Sequence, residues 1–180
     1  NAITWNPNLV TFVIIKGIDT ITGNISTHPL PSGIVNLSIG GESTLNPLYG
    51  NTISGNIADL PHSSIYQLSI LGRNTITGSL ASYAATPSPA LQIFQFVGAN
   101  TISGDLKDVP VTVKVFSLGG NNTVVTYSAS KVWGSGSMYY FVHESSAPGF
   151  TGLTTQAQYS QLLIDLNVAT WYDWNVIHRK

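Results

Sequence analysis

Cysteine is absent from this chain of 180 residues, which excludes disulfides and cysteine-based zinc sites. Charged side chains are also scarce: they make up 8% of the residues, and the formal net charge is −1. Binding to nucleic acid phosphates needs clustered Lys and Arg, and the seven basic residues are scattered along the chain. No run of about 18 apolar residues occurs. We therefore expect neither a nucleic-acid partner nor insertion into a membrane.

The residues that are abundant favour an extracellular or virion-borne β-rich protein. Hydrophobic residues make up 43% of the chain, enough for one core in a single domain. Ser, Thr, Asn and Gly are frequent, and no secretory signal pattern follows the first residue, Asn1. We interpret the sequence as a processed or shortened chain, and we expect it on a virion or at a cell surface.

A phrase of the type Asn-Thr-Ile-Thr-Gly recurs along the chain, each time after a short apolar run. The Thr of each phrase serves as an anchor: Thr20, Thr44, Thr75, Thr101 and Thr123, spaced by 24, 31, 26 and 22 residues. Apolar residues precede each anchor by ten, seven and five positions. These triplets are Val10/Val13/Ile15, Ile34/Leu37/Ile39, Ile65/Leu68/Ile70, Leu91/Phe94/Phe96 and Val113/Phe116/Leu118. Another apolar residue follows each anchor directly: Ile21, Leu45, Ile76, Ile102 and Val124. This alignment predicts stacked structural repeats.

Each aligned position has a predicted role. The last two apolar residues of a triplet lie on one face of a short strand, because side chains alternate along a strand. The polar residue before the anchor is expected to turn inward and bond the backbone of the next turn. A Gly three residues after a phrase Thr permits a positive φ, and Ile or Leu two residues later returns to the core. Proline-rich stretches close each turn. The longest repeat restarts its phrase as "GNTISGNI" at residues 50–57, as a duplication or a looped-out turn.

The pattern L-x-x-L-x-L followed by N-T-I-[ST]-G-x-[IL] resembles leucine-rich repeats over residues 8–127, and its I-S-G-x-I portion is similar to the extra segment of the plant-type subclass. The resemblance implies a repeat solenoid with a curved parallel β-sheet, a mostly irregular convex side and a C-terminal capping helix. The chain departs from the family pattern in one spacing. Asn comes four residues after the last apolar position of the strand, as from Ile70 to Asn74, whereas in the family it comes three residues after that position. Another right-handed parallel β-solenoid is the alternative fold. The T-I-[ST]-G segments also look like those of bacterial surface proteins, Bacteroidetes-like ones included, and of phage tail-fibre proteins.

We predict two parts in the chain. Residues 1–127 form the leucine-rich-repeat-like solenoid of about five repeats, and residues 128–180 form a degenerate last repeat and a cap. Residues 138–145 supply one more strand, with Met138 and Phe141 in two of the aligned positions. Leucines at helical spacing predict a capping helix at 156–168. The aromatic residues at 171–174 either fill the cap or form an exposed site for sugar stacking.

Candidate catalytic and metal-ligating residues are few. A solenoid glycosidase needs two carboxylates about 5–10 Å apart, and Asp105 and Asp108 share a turn, with Asp59 one repeat away. Asp in turns also serves solvation and backbone bonding. His28 and His62 occupy matching loops, but a metal ion needs three or four ligands. We expect no enzymatic activity, no cofactor and no metal site.

The function is expected on the outward face of the strands, where amide, hydroxyl and aromatic groups stack with almost no charge. The candidate binding residues are Phe12, Lys16, Tyr66, Gln67, Ser69, Gln92, Gln95 and Lys114. Such groups suit a cell-surface glycan or protein receptor, as in the receptor-binding domain of a phage tail fibre or a bacterial surface adhesin. Two alternatives stay open: an element of a homo-oligomeric fibre, for instance a trimer, that buries this face between chains, and a polysaccharide-degrading enzyme.

Overall fold

Every strand in the described part of the chain belongs to one of two parallel sheets, and the chain alternates between them. The structure is a computed structural model that describes residues 12–15, 22–40, 52–96, 98–118, 125–126 and 140–143. The first sheet contains, in spatial order, β1 (Phe12–Ile15), β3 (Asn36–Ile39), β5 (Gln67–Ile70), β7 (Ile93–Phe96), β9 (Val115–Leu118) and β11 (Tyr140–His143). The second contains β10 (Val125–Thr126), β8 (Thr101–Asp105), β6 (Thr75–Ser79), β4 (Thr52–Asn56) and β2 (Thr22–Asn24).

In the first sheet, equivalent positions of successive repeats pair directly. Leu37 pairs with Leu68, which pairs with Phe94, which in turn pairs with Phe116. The predicted inward triplets are confirmed where their side chains are described, because each of these is at most 1% exposed: Ile34, Leu37, Ile39, Ile65, Leu68, Ile70, Leu91, Phe94, Phe96, Val113 and Phe116. The predicted strand after the fifth repeat is confirmed as β11, with Phe141 paired to Phe116.

The second sheet takes the place of most of the irregular structure expected outside the first. Its strands do not pair at equivalent positions, since β2, β4, β6 and β8 are each displaced by two residues from the next, and β10 is displaced by one from β8. Thr75 and Thr101 begin the same phrase in successive repeats, yet Thr75 pairs with Ser54 and Thr101 pairs with Thr77. The inward Ile102 consequently lies beside Gly78 of the preceding repeat.

The phrase glycine is needed for two reasons, which Gly78 shows together. Its φ of 121° is in the range that side chains disfavour, as predicted. In addition, a Cβ at this position would lie 2.7 Å from Oδ1 of Asn56 and 2.9 Å from Cγ2 of Ile57, both in the preceding repeat. Ile57 is the core residue that follows the preceding glycine, so the two predicted positions of the phrase fit against each other between repeats.

The polar side chains of the phrase either donate hydrogen bonds to the preceding repeat or cap the short helical turn that follows the strand. The hydroxyls of Ser54, Thr77 and Ser103 donate to the backbone oxygens of Gly23, Gly55 and Gly78, respectively, at 3.2–3.4 Å. The residue after each glycine caps a short helical turn. These caps are Asn56 before the 3₁₀ helix Ile57–Asp59, Ser79 before α1 (Leu80–Ala84), and Asp105 before the 3₁₀ helix Leu106–Asp108.

Two buried asparagines join the sheets. Asn100 is 0% exposed, donates from Nδ2 to the Ile70 oxygen of the first sheet at 3.0 Å, and accepts from the Ile76 N–H of the second at 3.0 Å. Asn74 bonds the repeat before it in the same way, through Ile39 and Ile53. The predicted inward turn is confirmed, but both asparagines bond the preceding repeat rather than the next one.

The residue that lengthens the spacing from strand to asparagine lies in the corner where the chain passes from the first sheet to the second. Gly72 and Gly98 stand two residues after their strands, with φ of 78° and 101°. A Cβ on Gly98 would lie 2.1 Å from the Gly72 oxygen, so the two backbones are in direct contact. Glycine therefore lets the chain add one residue at this corner while successive repeats remain stacked.

The segments that lead back to the first sheet contribute aromatic side chains to the core. Tyr83 of α1 is 1% exposed, stacks on His62 at 4.4 Å and meets the edge of Phe94 at 5.6 Å. Its hydroxyl donates to the Pro61 oxygen at 3.1 Å. Burial raises the pKa of Tyr83 well above its ordinary value.

Two repeats differ in detail from the sequence prediction. In the second repeat, the restarted phrase supplies the strand, because β4 is Thr52–Asn56 and Ile53 is 3% exposed. The anchor at Thr44 lies outside the described residues. In the fifth repeat, Val125 pairs with Gly104, one residue later than the Val124 position predicted for the core. The capping helix at 156–168 and the aromatic residues at 171–174 also lie outside the described residues.

Candidate functional site

The side chains of the first sheet that point away from the core are here called the outer face. Its described residues are Val35, Asn36, Ser38, Tyr66, Gln67, Ser69, Gln92, Ile93, Gln95, Lys114, Val115 and Ser117. The strand pattern of alternating burial places one set of side chains in the core and the other on this face. These described residues include no carboxylate and a single basic residue, Lys114.

A bulge before β5, β7 and β9 brings two consecutive side chains to the outer face. The N–H groups of Tyr66 and Gln67 both donate to the Val35 oxygen, at 2.7 and 3.2 Å. Gln92 and Ile93 share the Tyr66 oxygen in the same way. Two residues opposite one is the arrangement of a β-bulge, which interrupts the alternation of side chains. This explains why both residues between the first two core positions point outward, as the sequence pattern predicted.

Tyr66 and Gln92 are linked across two adjacent strands. The Tyr66 hydroxyl donates to Oε1 of Gln92 at 3.2 Å, and the Tyr66 side chain is 38% exposed. Among the described residues, Tyr66 and Val111 are the strongly exposed large hydrophobic residues. The hydrogen bond restrains the ring and leaves the amide Nε2 of Gln92 directed to other partners.

A second hydrogen-bonded chain joins Gln67, Ser69 and Gln95. Nε2 of Gln67 donates to the Ser69 hydroxyl at 3.2 Å, and that hydroxyl donates to Oε1 of Gln95 at 2.8 Å. Ser69 is only 2% exposed, whereas both glutamines are half-buried. Ser69 therefore holds the two amides in place from below and is not itself an exposed contact. Together with Tyr66 and Gln92, these three residues are called the polar cluster.

The structure brings together five of the eight residues predicted for binding, namely the polar cluster. Lys114 is half-buried on the next strand, where its backbone N–H donates to the Gln92 oxygen at 2.8 Å. The Cα of Phe12 pairs with that of Asn36 at the edge of the same sheet, and Lys16 lies outside the described residues. The register adds Tyr140, paired with Val115, which the sequence pattern did not single out.

The acidic and histidine candidates have separate local partners. The Asp59 carboxylate accepts from the Ser26 hydroxyl, and the Asp105 carboxylate accepts from the Lys107 N–H at 2.9 Å. His28 contacts Thr27, whereas Nε2 of His62 lies 3.0 Å from the Ala58 oxygen. Among the described residues, no three His, Cys, Asp or Glu side chains are placed to hold a metal ion. The polar cluster, by contrast, brings five side chains together in two hydrogen-bonded groups on one face of the first sheet.

The polar cluster can bind an uncharged polar ligand. Its two hydroxyls and three amides are restrained by hydrogen bonds on adjacent strands, and preorganised groups lose less entropy on binding. No protein-family model, curated protein or solved structure matches this chain. Within the ranges that the structure describes, no helix has the length and hydropathy needed to span a membrane.

Proposed function

We propose that the two sheets are the strand ladders of a leucine-rich-repeat-like solenoid of about five repeats. The inward rows of the first sheet and the asparagines that bond the preceding repeat support this proposal. Gly72 and Gly98 account for the extra residue that separates this chain from the leucine-rich-repeat spacing. A crystal structure in which the first sheet is flat along its six strands would favour the alternative, another right-handed parallel β-solenoid.

We further propose that the protein is a non-catalytic recognition module that binds a cell-surface glycan or protein receptor through the outer face. It would serve as the receptor-binding domain of a phage tail fibre or of a bacterial surface adhesin, on the virion or at the cell surface. The observation that carries this proposal is the polar cluster, in which an exposed tyrosine and three glutamines are fixed by hydrogen bonds.

The composition of the outer face supports binding rather than a solvated surface. The surface of a soluble protein normally carries many charged side chains, whereas the described residues of the outer face include Lys114 as their single charge. Exposed tyrosine and neutral amides are typical of binding sites, where one aromatic residue can account for a large share of the affinity.

The direct test is attachment by variants of the polar cluster. Tyr66→Ala and Gln92→Ala, alone and combined, would be compared with the unaltered protein on a glycan array and on intact host cells. We expect the double variant to lose at least about tenfold in apparent affinity, since an anchor residue contributes roughly 2 kcal/mol.

The matched controls lie on the other sheet. Thr75→Ala and Thr101→Ala remove exposed side chains from the second sheet, and we expect both to bind within about twofold of the unaltered protein. Thermal unfolding would show that each variant folds. Equal attachment by the double variant and the controls would exclude the outer face as the receptor site.

A second candidate function is assembly of a homo-oligomeric fibre through the outer face. It is favoured by Ile93 and Val115, which pair on adjacent strands and are both half-buried. In that case Ile93→Asp would dissociate an oligomer detected by analytical ultracentrifugation. Release of reducing ends from host polysaccharide would instead indicate the third candidate, an enzyme.

A further inference from the structure

We propose that Ser69 is a positioning residue that fits the outer face to a neutral carbohydrate with two adjacent ring hydroxyls. This inference rests on the proposed recognition function and specifies its ligand. It follows from the direction in which each hydrogen bond of the polar cluster runs.

The single proton of the Ser69 hydroxyl determines that direction. The proton goes to Oε1 of Gln95 at 2.8 Å, so the hydroxyl accepts from Nε2 of Gln67 at 3.2 Å. The amide groups left for a ligand are then Oε1 of Gln67, an acceptor, and Nε2 of Gln95, a donor. Because Gln67 and Gln95 are on adjacent strands, the outer face presents an acceptor next to a donor.

A pair of neighbouring sugar hydroxyls matches this arrangement, because each hydroxyl can both donate and accept. A carboxylate only accepts and would face the Gln67 oxygen, whereas an ammonium group only donates and would face the Gln95 amide. The donor Nε2 of Gln92 and the exposed Tyr66 ring extend the site, and such a ring can pack against the apolar face of a sugar.

The test compares Ser69→Ala with Ser88→Ala. Ser88 is similarly buried at 1% exposure, but it lies between α1 and β7 and is not part of the outer face. An array of neutral and carboxylated oligosaccharides would identify the best neutral probe, whose Kd would then be measured by calorimetry. The exchange rates of the Gln67 and Gln95 side-chain NH₂ groups would be measured by NMR without ligand.

We expect Ser69→Ala to weaken binding of the neutral probe by about 3- to 10-fold and to speed NH₂ exchange of Gln67. Ser88→Ala should change neither quantity, and Ser69→Thr, which keeps the hydroxyl, should recover part of the loss. Gln95→Glu replaces the donor with an acceptor on a half-buried side chain, so it should weaken binding even if Ser69→Ala fails to fold.

Two results would overturn the inference and leave the proposed function intact. One is equal binding by Ser69→Ala and Ser88→Ala when Tyr66→Ala still weakens attachment. The other is a preference of the unaltered protein for carboxylated sugars. If the unaltered protein binds host cells but no glycan on the array, the inference fails while receptor recognition stands; if it binds neither, both fail.

Discussion

The two sheets arise from the same repeats but differ in register and in the variety of their side chains. The first sheet pairs equivalent positions, so Leu68 meets Phe94, and its outward residues change from one repeat to the next. In the second sheet, β2, β4, β6 and β8 are each displaced by two residues from the next, so Thr101 meets Thr77, and the sequences of these four strands are nearly the same.

The difference shows which positions the stacking of repeats constrains. In the second sheet, the hydroxyl and glycine positions of the phrase contact the preceding repeat, as Thr77 does with Gly55, and the capping position starts the turn that follows the strand. On the outer face of the first sheet, the core requires only the inward residues. Side chains there can vary without disturbing the fold, which is the property that a changing binding specificity needs.

The largest expected effect comes from comparing an inward and an outward residue of the same strand, β7. Phe94 is 0% exposed and contacts the rings of Phe96, Phe116 and Tyr83. We expect Phe94→Ala to lower the free energy of unfolding by about 3–5 kcal/mol. Ile93→Ala, the adjacent outward change, should cost less than about 1 kcal/mol. Urea unfolding of both variants provides the measurement, and similar losses would mean that the faces are not distinct.

The next largest effect is expected from removing the side chain of Asn100, which joins the two sheets. Asn100→Ala leaves the buried Ile76 N–H and Ile70 oxygen without this partner, so we expect a loss of about 2–5 kcal/mol. Asn36→Ala on the outer face is the control and should change stability by less than about 0.5 kcal/mol. Both variants would be measured by denaturant unfolding. A loss of stability for Asn36→Ala as large as that for Asn100→Ala would contradict the placement of Asn100 between the sheets and of Asn36 on the outer face.

Two glycines at the same phrase position test the contact between repeats in the second sheet. Gly78→Ala should cost about 2–4 kcal/mol from strain and overpacking. At Gly23 nothing lies within 4 Å of a new Cβ and φ is not positive, so Gly23→Ala should be neutral or slightly stabilising. The difference between their melting temperatures measures the contact, and equal temperatures would show that stacking does not require the glycine.

The smallest expected effect concerns the segment that joins the second sheet to the first. Burial raises the pKa of Tyr83 above its ordinary value of 10.0, so the unfolded chain loses this proton at lower pH than the folded chain. Stability is therefore retained below pH 10 and falls above it, by at most about 1.4 kcal/mol per pH unit. Unfolding would be measured from pH 8 to 11, and the stability of Tyr83→Phe should fall less steeply than that of the unaltered protein. Equal slopes would mean that the fall does not come from ionisation of Tyr83.

The first sheet could be predicted because its signal is local and repeated. Core residues such as Leu68 and Ile70 recur at fixed positions, and β11 was found from the same spacing. The second sheet was missed because its glycine suggested a turn. An alternation was nevertheless present, with Ile76 and Gly78 inward and exposed Thr75 and Thr77 outward.

The candidate site was predictable in position but not in its hydrogen bonding. The columns of outward residues included Tyr66, Gln67 and Gln92, and the structure places them on one face. The burial of Ser69 could not be read from the sequence, because it depends on the rotamers of glutamines on two different strands. The sequence also could not predict that Val125, and not Val124, pairs with Gly104, because both residues are valines and Val124 fits the pattern equally well.

The connection between β3 and β4 contains more residues than its counterparts. Residues 40–51 join these two strands, whereas residues 71–74 are enough between β5 and β6. Both β3 and β4 still pair with their neighbours on either side. Since lengthening a connection adds little entropic cost, a foreign peptide spliced between these two strands should be tolerated without unfolding its carrier.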